Sequence, residues 1–277
     1  MTAQYSQNTS QHSQRSKRLM MIGYGAMGRE VHRLLPKGLS LDWVLLREGS
    51  DSSQQPRLLN LETVSTVDQC VERPDLVIEC AGQEGVREHG EAVLRRGLDL
   101  ALISVGALAD EQLRKRLEIA AREGGGRIIL LSGAIAGIDG LAAAREGGLE
   151  TVTYEACKAP RSWKGSYAEQ LIDLDSVHTP TVFFEGSAAE AARLFPANAN
   201  VAATVGLAGI GLNETRVKLT VDPNTTTNTH RIHALGRFGE LALHMNGRPL
   251  EDNPKTSTLA ALSVVRACRQ ATDTFVI

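Results

Sequence analysis

The chain has no apolar run near the roughly 20 residues that a membrane-crossing helix needs, which excludes that class of protein. It also has no surplus of either charge. Its 30 Lys and Arg face 32 Asp and Glu, for a formal net charge of −2. No basic field therefore marks it for nucleic acid or an anionic membrane surface. Cysteine is sparse: Cys70, Cys80, Cys157 and Cys268 stand far apart and form no C-x-x-C pair. That spacing excludes a disulfide framework and a zinc site, so no metal is expected, and it points to reduced thiols in a cytoplasm. No internal repeat is present. Residues 1–17 are rich in Ser and Gln and lack the apolar core of a signal peptide. They are expected to form a disordered tail outside the fold.

What is present is enough for one large or two medium domains: 277 residues, 42% of them hydrophobic and 22% charged. The most informative stretch is LMMIGYGAMG, Leu19 to Gly28, an apolar strand running into a G-x-G-x-x-G turn. Gly23 permits the tight turn, Gly25 lets backbone approach a pyrophosphate, and Gly28 lets the next helix pack close to the strand. A helix over Arg29–Leu35, broken at Pro36-Lys37-Gly38, completes the context that a bare glycine motif lacks. A dinucleotide seated on that helix N-terminus is expected, with Ala26 and Met27 inside the same turn.

Strands and helices then alternate. Strands are expected at Leu41–Leu46, Asp75–Cys80, Leu100–Val105 and Arg127–Leu131, and helices at Thr63–Val71, Glu84–Arg96 and Asp110–Glu123, the last capped by Asp110. The strands are apolar on both faces, which predicts a parallel sheet covered by helices on both sides. From about Leu149 the pattern changes to alternation. Thr151–Glu155, Arg216–Val221, His230–Leu235 and Gly239–Met245 read as strands with one polar face. Helices are expected at Ala188–Leu194 and Asn200–Ala208. A last helix over Lys255–Thr272, capped near Asn253-Pro254, shows an apolar face of Leu259, Leu262 and Val265 that needs a partner, with the first domain as the candidate.

Three stretches carry candidate chemistry. At the end of the second strand, Glu48 suits the ribose hydroxyls of NAD and Arg47 the extra phosphate of NADP, so the choice between NAD and NADP stays open. The polar run Asp222-Pro223-Asn224-Thr225-Thr226-Thr227-Asn228-Thr229-His230 joins two alternating strands, and His230 is its one proton carrier near neutral pH. His233 competes with it on chemistry alone. Lys158, Arg161 and Lys164 beside Trp163 form a cationic group able to hold a dianionic substrate. Cys157, next to Lys158, is a minor candidate nucleophile.

Taken in order along the chain, several longer segments resemble the L-aspartate dehydrogenases. They are GYGAMG at 23–28, DLVIECAGQEGVREHG at 75–90, SVGAL at 104–108, SGAIAGIDG at 132–140, KAPRSW at 158–163, FPANANVAATVGLAG at 195–209 and DPNTTTNTH at 222–230. The resemblance covers about Leu19 to Cys268. It implies an α/β fold with an N-terminal Rossmann dinucleotide-binding domain over 18–132, completed by a C-terminal helix within 248–277. A C-terminal α+β domain on a mixed or antiparallel sheet would span 133–247 and supply substrate and dimer contacts. It implies that Ala134 and Asn200 lie on the nicotinamide side of NAD or NADP and that His230, rather than His233, is catalytic. The implied reaction is reversible oxidative deamination of L-aspartate to iminoaspartate, then oxaloacetate and ammonia, by a homodimer. In this family the imine is linked to the quinolinate branch of NAD synthesis. The alternatives are a homoserine dehydrogenase-like or dihydrodipicolinate reductase-like enzyme, a non-catalytic NAD(P)-binding sensor and, more remotely, an S-adenosylmethionine methyltransferase.

Overall fold

The computed structural model describes residues 16–47, 61–250 and 253–276. Of the expected tail, residues 1–15 lie outside that set, as does Glu48, while Lys17 already belongs to a strand. The first half of the chain alternates β1 (Lys17–Ile22), α1 (Ala26–Arg33), β2 (Leu39–Leu45), β3 (Glu62–Val64), β4 (Leu76–Glu79), α2 (Gln83–Arg95), β5 (Leu100–Leu102), α3 (Glu111–Gly124) and β6 (Ile128–Leu130). The strands pair in the order β3-β2-β1-β4-β5-β6, all parallel. This is the doubly wound order in which chain direction across the sheet reverses between β1 and β4, opening a crevice at the carboxyl ends of those strands.

Strand periodicity explains why both faces are apolar. Met20, Ile22, Trp43, Leu45, Val77, Leu100 and Leu102 point to one face, where they meet Val86, Val93, Leu113 and Leu117 of α2 and α3. Leu19, Met21, Val44, Ile78 and Ala101 point to the other. The second face is covered by Val31 of α1 and by α8 (Thr258–Gln270), the last helix. That helix starts three residues later than expected. Residues 253–257 are extended instead and pair as β13 (Asn253–Ser257) with β12 (Pro249–Leu250). Ser257 takes the extended conformation of a helix N-cap, φ −78° and ψ 140°, so helical backbone begins only at Thr258. The buried stripe of α8 is Ala261, Val264, Val265 and Cys268, whereas Leu262 is exposed. A face follows i, i+3, i+4, i+7, and a run of threes drifts off it.

Two other expectations change. The helix expected over Thr63–Val71 is an edge strand, β3, followed by a 3-10 turn at Val67–Gln69. β-branched Thr63 and Val64 suit the strand, and Gln69 folds back to accept a hydrogen bond from the Ser65 amide at 2.7 Å. α1 begins at Ala26, inside the glycine motif, rather than at Arg29.

The second half contains α4 (Ile138–Glu146), β7 (Leu149–Lys158), α5 (Ala168–Leu171), β8 (Thr181–Ser187), α6 (Ala188–Leu194), α7 (Asn200–Ala208), β9 (Arg216–Val221), β10 (Asn228–Gly236) and β11 (Gly239–Gly247). Its sheet has the order β11-β10-β7-β9-β8, with β7 and β9 parallel and the other pairs antiparallel. The sheet is therefore mixed. Its inner face carries Val152, Tyr154, Ala156 and Lys158 from β7 and His230, Ile232 and Ala234 from β10, all buried. The apolar members pack on Ala202, Ala203 and Val205 of α7 in one cluster continuous with the α2/α3 side of the first sheet.

Candidate active site

A cleft of about 690 Å³ lies where the two sheets meet. One wall is made by the carboxyl ends of the parallel strands: Gly25, Ala26 and Met27 after β1, Arg47 after β2, Cys80 to Glu84 after β4, Ile103 and Ser104 after β5, and Gly133 after β6. The opposite wall is made by Lys158 at the end of β7, Pro196 to Asn198 before α7, Asn200 and Val201 on α7, and His230 on β10. Thr256, Ser257 and Ala260 close one side.

The glycine turn fits a pyrophosphate in three separate ways. Gly23 has φ +79°, and a Cβ there would stand 2.6 Å from the Ala81 Cβ. A Cβ on Gly28 would sit 2.8 Å from the Met21 sulfur, so the helix could not lie on β1. A Cβ on Gly25 would meet nothing within 4 Å, because that position opens into the cleft where a ligand's phosphates would approach. No side chain caps the start of α1, which leaves its first amides for an anion. The residues present thus fit a dinucleotide.

A carboxylate that the sequence reading passed over holds this wall together. Glu79, fully buried at the end of β4, accepts from the amides of Ala81 and Gly82 at 2.7 Å, the Ser104 amide at 2.9 Å and the Ser104 hydroxyl at 3.0 Å. Burial raises its pKa, and the four donors oppose that rise. A carboxylate ending the apolar run DLVIEC was the available signal. The two walls are joined by Gln83 Nε2 donating to the Pro196 carbonyl at 3.0 Å and by the Gly106 amide donating to Asn200 Oδ1 at 3.0 Å.

On the opposite wall, strand parity separates the two histidines. Three residues apart, they point to opposite faces of β10. His230 is buried on the inner face, while His233 is exposed on the outer one and bonds Glu240 at 2.7 Å. His230 Nδ1 shares a 2.7 Å hydrogen bond with the Tyr154 hydroxyl, and the two rings stack. Its Nε2 is buried without a hydrogen-bond partner among the described residues. Burial, with the Lys158 ammonium adding to it, pushes the imidazolium down to about 3, so the ring is neutral at pH 7. Burial also lowers Lys158, to about 8, and raises the Tyr154 phenol.

Of the sequence-selected residues, Gly25, Ala26, Met27, Arg47, Asn200 and His230 line the cleft together. Gly23 and Gly28 shape the turn from behind, and Ala134 lies one residue beyond the lining at Gly133. Arg47 is largely exposed and 3.5 Å from Glu88. The cationic group does not act as one: Lys158 lines the cleft, whereas Arg161 is exposed and Lys164 pairs with Asp175 at 2.7 Å. Trp163 belongs to an aromatic core with Phe183 and Phe195. Cys157 sits on the other face of β7 from Lys158, and burial raises its thiol, so it is no nucleophile for this cleft. Among the described residues no cluster of His, Cys, Asp or Glu could hold a metal.

Comparison with known proteins agrees with this geometry. A family model described as aspartate dehydrogenase, C-terminal, matches residues 139–271, and one described as homoserine dehydrogenase, NAD binding domain, matches residues 23–131. An L-aspartate dehydrogenase of Serratia proteamaculans is 58% identical, over 93% of this chain and 98% of its own length. That of Acinetobacter baylyi is 56% identical over the same shares. The crystal structure of an aspartate dehydrogenase from Thermotoga maritima superposes with a TM-score of 0.74 at 26% identity, covering 94% of this chain and 99% of its own. A hyperthermophilic archaeal homoserine dehydrogenase in complex with NADPH gives 0.57 at 14% identity over 94% and 98%, a likeness of fold alone.

Proposed function

We propose, from the premise that this chain belongs to the L-aspartate dehydrogenase family, that it oxidises L-aspartate to iminoaspartate. Water then releases ammonia and oxaloacetate, and the enzyme also runs the reverse reductive amination. The observation that carries the reading is the buried Nε2 of His230, without a hydrogen-bond partner among the described residues, on the wall facing the glycine turn. A neutral imidazole with one nitrogen engaged inside the protein and the other left for a ligand is the arrangement an acid/base group needs.

The amides around Gly25, Ala26 and Met27 would hold the pyrophosphate, Arg47 the adenosine ribose or its phosphate, and Asn200 with the Gly133–Ala134 turn the nicotinamide side. Bound there, NAD or NADP supplies the hydride acceptor for the α-carbon. The protein's own part is positioning, exclusion of water and proton transfer. His230 Nε2 takes a proton from the water that adds to the imine and returns it to the departing amine. The Tyr154 hydroxyl supports both states by accepting from Nδ1–H: it holds the neutral ring in the tautomer whose Nε2 is the base, and it keeps that bond when Nε2 is protonated and the ring becomes an imidazolium.

The same reading extends to organisation. Residues 18–132 with 248–277 are taken as one unit and 133–247 as the other, supported by α8 packing on Leu19 and Met21 of β1. A homodimer is taken to form through the outer face of β7, β10 and β11, where Thr153, Glu155, Arg231 and His244 line a shallow groove. Four free cysteines suit a reducing cytoplasm. No described helix is long and apolar enough to cross a membrane.

The test is loss of reduced-nicotinamide absorbance with oxaloacetate plus ammonia, against aspartate semialdehyde as the rival substrate. Turnover of the semialdehyde alone would move the assignment to a homoserine dehydrogenase-like activity. His230→Ala should lower kcat on the order of 10²–10⁴-fold with NADH affinity near normal. Parallel loss of both would make His230 structural.

A further inference from the structure

The described lining of the cleft carries two cations. Arg47 stands at the far end and already has a carboxylate near it, Glu88. Lys158 has none. It is 5% exposed, and among the described residues its ammonium reaches only the Asn198 carbonyl at 3.5 Å and the Trp163 ring at 5.1 Å. No Asp or Glu among the described residues forms an ion pair with it. A buried ammonium without a counter-charge weakens folding, and such a group persists where a ligand brings the missing charge.

Its placement says what that ligand is. Ala156 stands directly opposite His230 in the β7–β10 ladder. Lys158, two residues further along β7, is on the same inner face and diagonal to His230, roughly 7–8 Å away between backbones. Two inward side chains at that spacing converge on one small molecule. In aspartate or oxaloacetate the carboxylates are one and two bonds from the reacting carbon, so a carboxylate on Lys158 leaves that carbon beside Nε2.

We propose that the Lys158 ammonium binds a carboxylate of the substrate and makes the site select dicarboxylates. The proposal rests on the aspartate reading above. It assigns to one residue what the sequence spread over Lys158, Arg161 and Lys164. A ligand without an anion at that position leaves the ammonium buried and unpaired, which is a penalty against wrong substrates rather than only a gain for the right one. Seating the anion has a second effect. It offsets the positive charge that helps hold His230 low, so the base strengthens when the correct substrate is present.

The experiment uses succinate, an unreactive four-carbon dicarboxylate, titrated calorimetrically into the enzyme saturated with NADH, and compares Lys158→Met with Arg161→Ala. Lys158→Met should weaken succinate and raise KM for oxaloacetate on the order of 100-fold, with NADH affinity within about threefold of wild type. Arg161→Ala should leave both within about twofold. Succinate should raise the melting temperature of the wild type and not that of Lys158→Met. The substituted protein without ligand should melt no lower than wild type, because an unpaired charge has been removed. Unchanged succinate affinity in Lys158→Met, or a clear fall in its melting temperature, overturns the proposal even where aspartate turnover is confirmed. Lys158-dependent succinate binding in an enzyme that does not turn over aspartate or oxaloacetate would keep this site and remove the reaction.

Discussion

Tyr154→Phe is the sharpest probe of the acid/base site, because it deletes one oxygen and leaves the ring. Tyr154 is 1% exposed and packs in the inner core of the mixed sheet, so phenylalanine fills the same volume. What is lost is the 2.7 Å hydrogen bond to His230 Nδ1. The loss strands a buried imidazole nitrogen, which costs stability by about 1–3 kcal/mol. The catalytic consequence is separate. Without the hydroxyl, no hydrogen bond among the described residues fixes the ring orientation or holds the proton on Nδ1 that leaves Nε2 free to act as the base. A misplacement of the order of 1 Å costs up to roughly 10²-fold, so kcat should fall about 10- to 100-fold. KM for oxaloacetate should move little, because Lys158 is untouched. NADH affinity, followed by fluorescence titration, should stay near wild type. The split is the diagnostic, since a merely loosened fold would weaken cofactor and substrate binding together. A Tyr154→Phe enzyme with full kcat, or one whose kcat and NADH affinity fall in step, would refute the positioning role.

Gly25→Ala should leave the melting temperature of the cofactor-free protein unchanged, since its Cβ meets nothing within 4 Å. It should weaken NADH binding by an order of magnitude or more, because the methyl occupies the pyrophosphate approach. Glu79→Gln can keep its carbonyl on the Ala81 and Gly82 amides and the Ser104 hydroxyl, but it sets an NH₂ against the Ser104 amide N–H, and should cost about 1–3 kcal/mol in denaturant unfolding and reduce NADH affinity. The depressed His230 sets a pH slope: the unfolded imidazole binds a proton below 6.5 and the folded one only near 3. Stability should therefore fall with pH across that window by up to about 1.4 kcal/mol per unit, and His230→Asn should flatten the slope in pH-dependent urea titrations.

Why some of this was legible in the sequence and some was not follows from the range of the interactions. The glycine turn is local, with φ, Cβ clearance and helix start decided within ten residues, so Gly23, Gly25 and Gly28 could be assigned their jobs from spacing. Strand parity is equally local. The alternation that names β10 already places His230 and His233 on opposite faces, whereas the alternation read for β7 stopped at Glu155 and so left Lys158 unplaced, although the strand runs on to it. What it leaves open is which face is inner, because that depends on packing against α7 some fifty residues along the chain from β7. The choice among Lys158, Arg161 and Lys164 failed at shorter range. All three lie within seven residues and share chemistry, and only the turn at Pro160 sends two of them to solvent. Glu79 announced itself only as a carboxylate in an apolar run, and its role stayed hidden because its four donors come from the starts of two separate loops. For the inner face of β7 and for the Ser104 bonds to Glu79 the missing term is a contact between segments far apart in sequence. These are the contacts that bring a glycine turn from one sheet and an imidazole from the other to the two sides of one cleft. Substitutions at the cross-wall bonds, Gln83 to the Pro196 carbonyl and Asn200 to the Gly106 amide, should therefore act on kcat through the separation of the walls while leaving each wall's own fold intact.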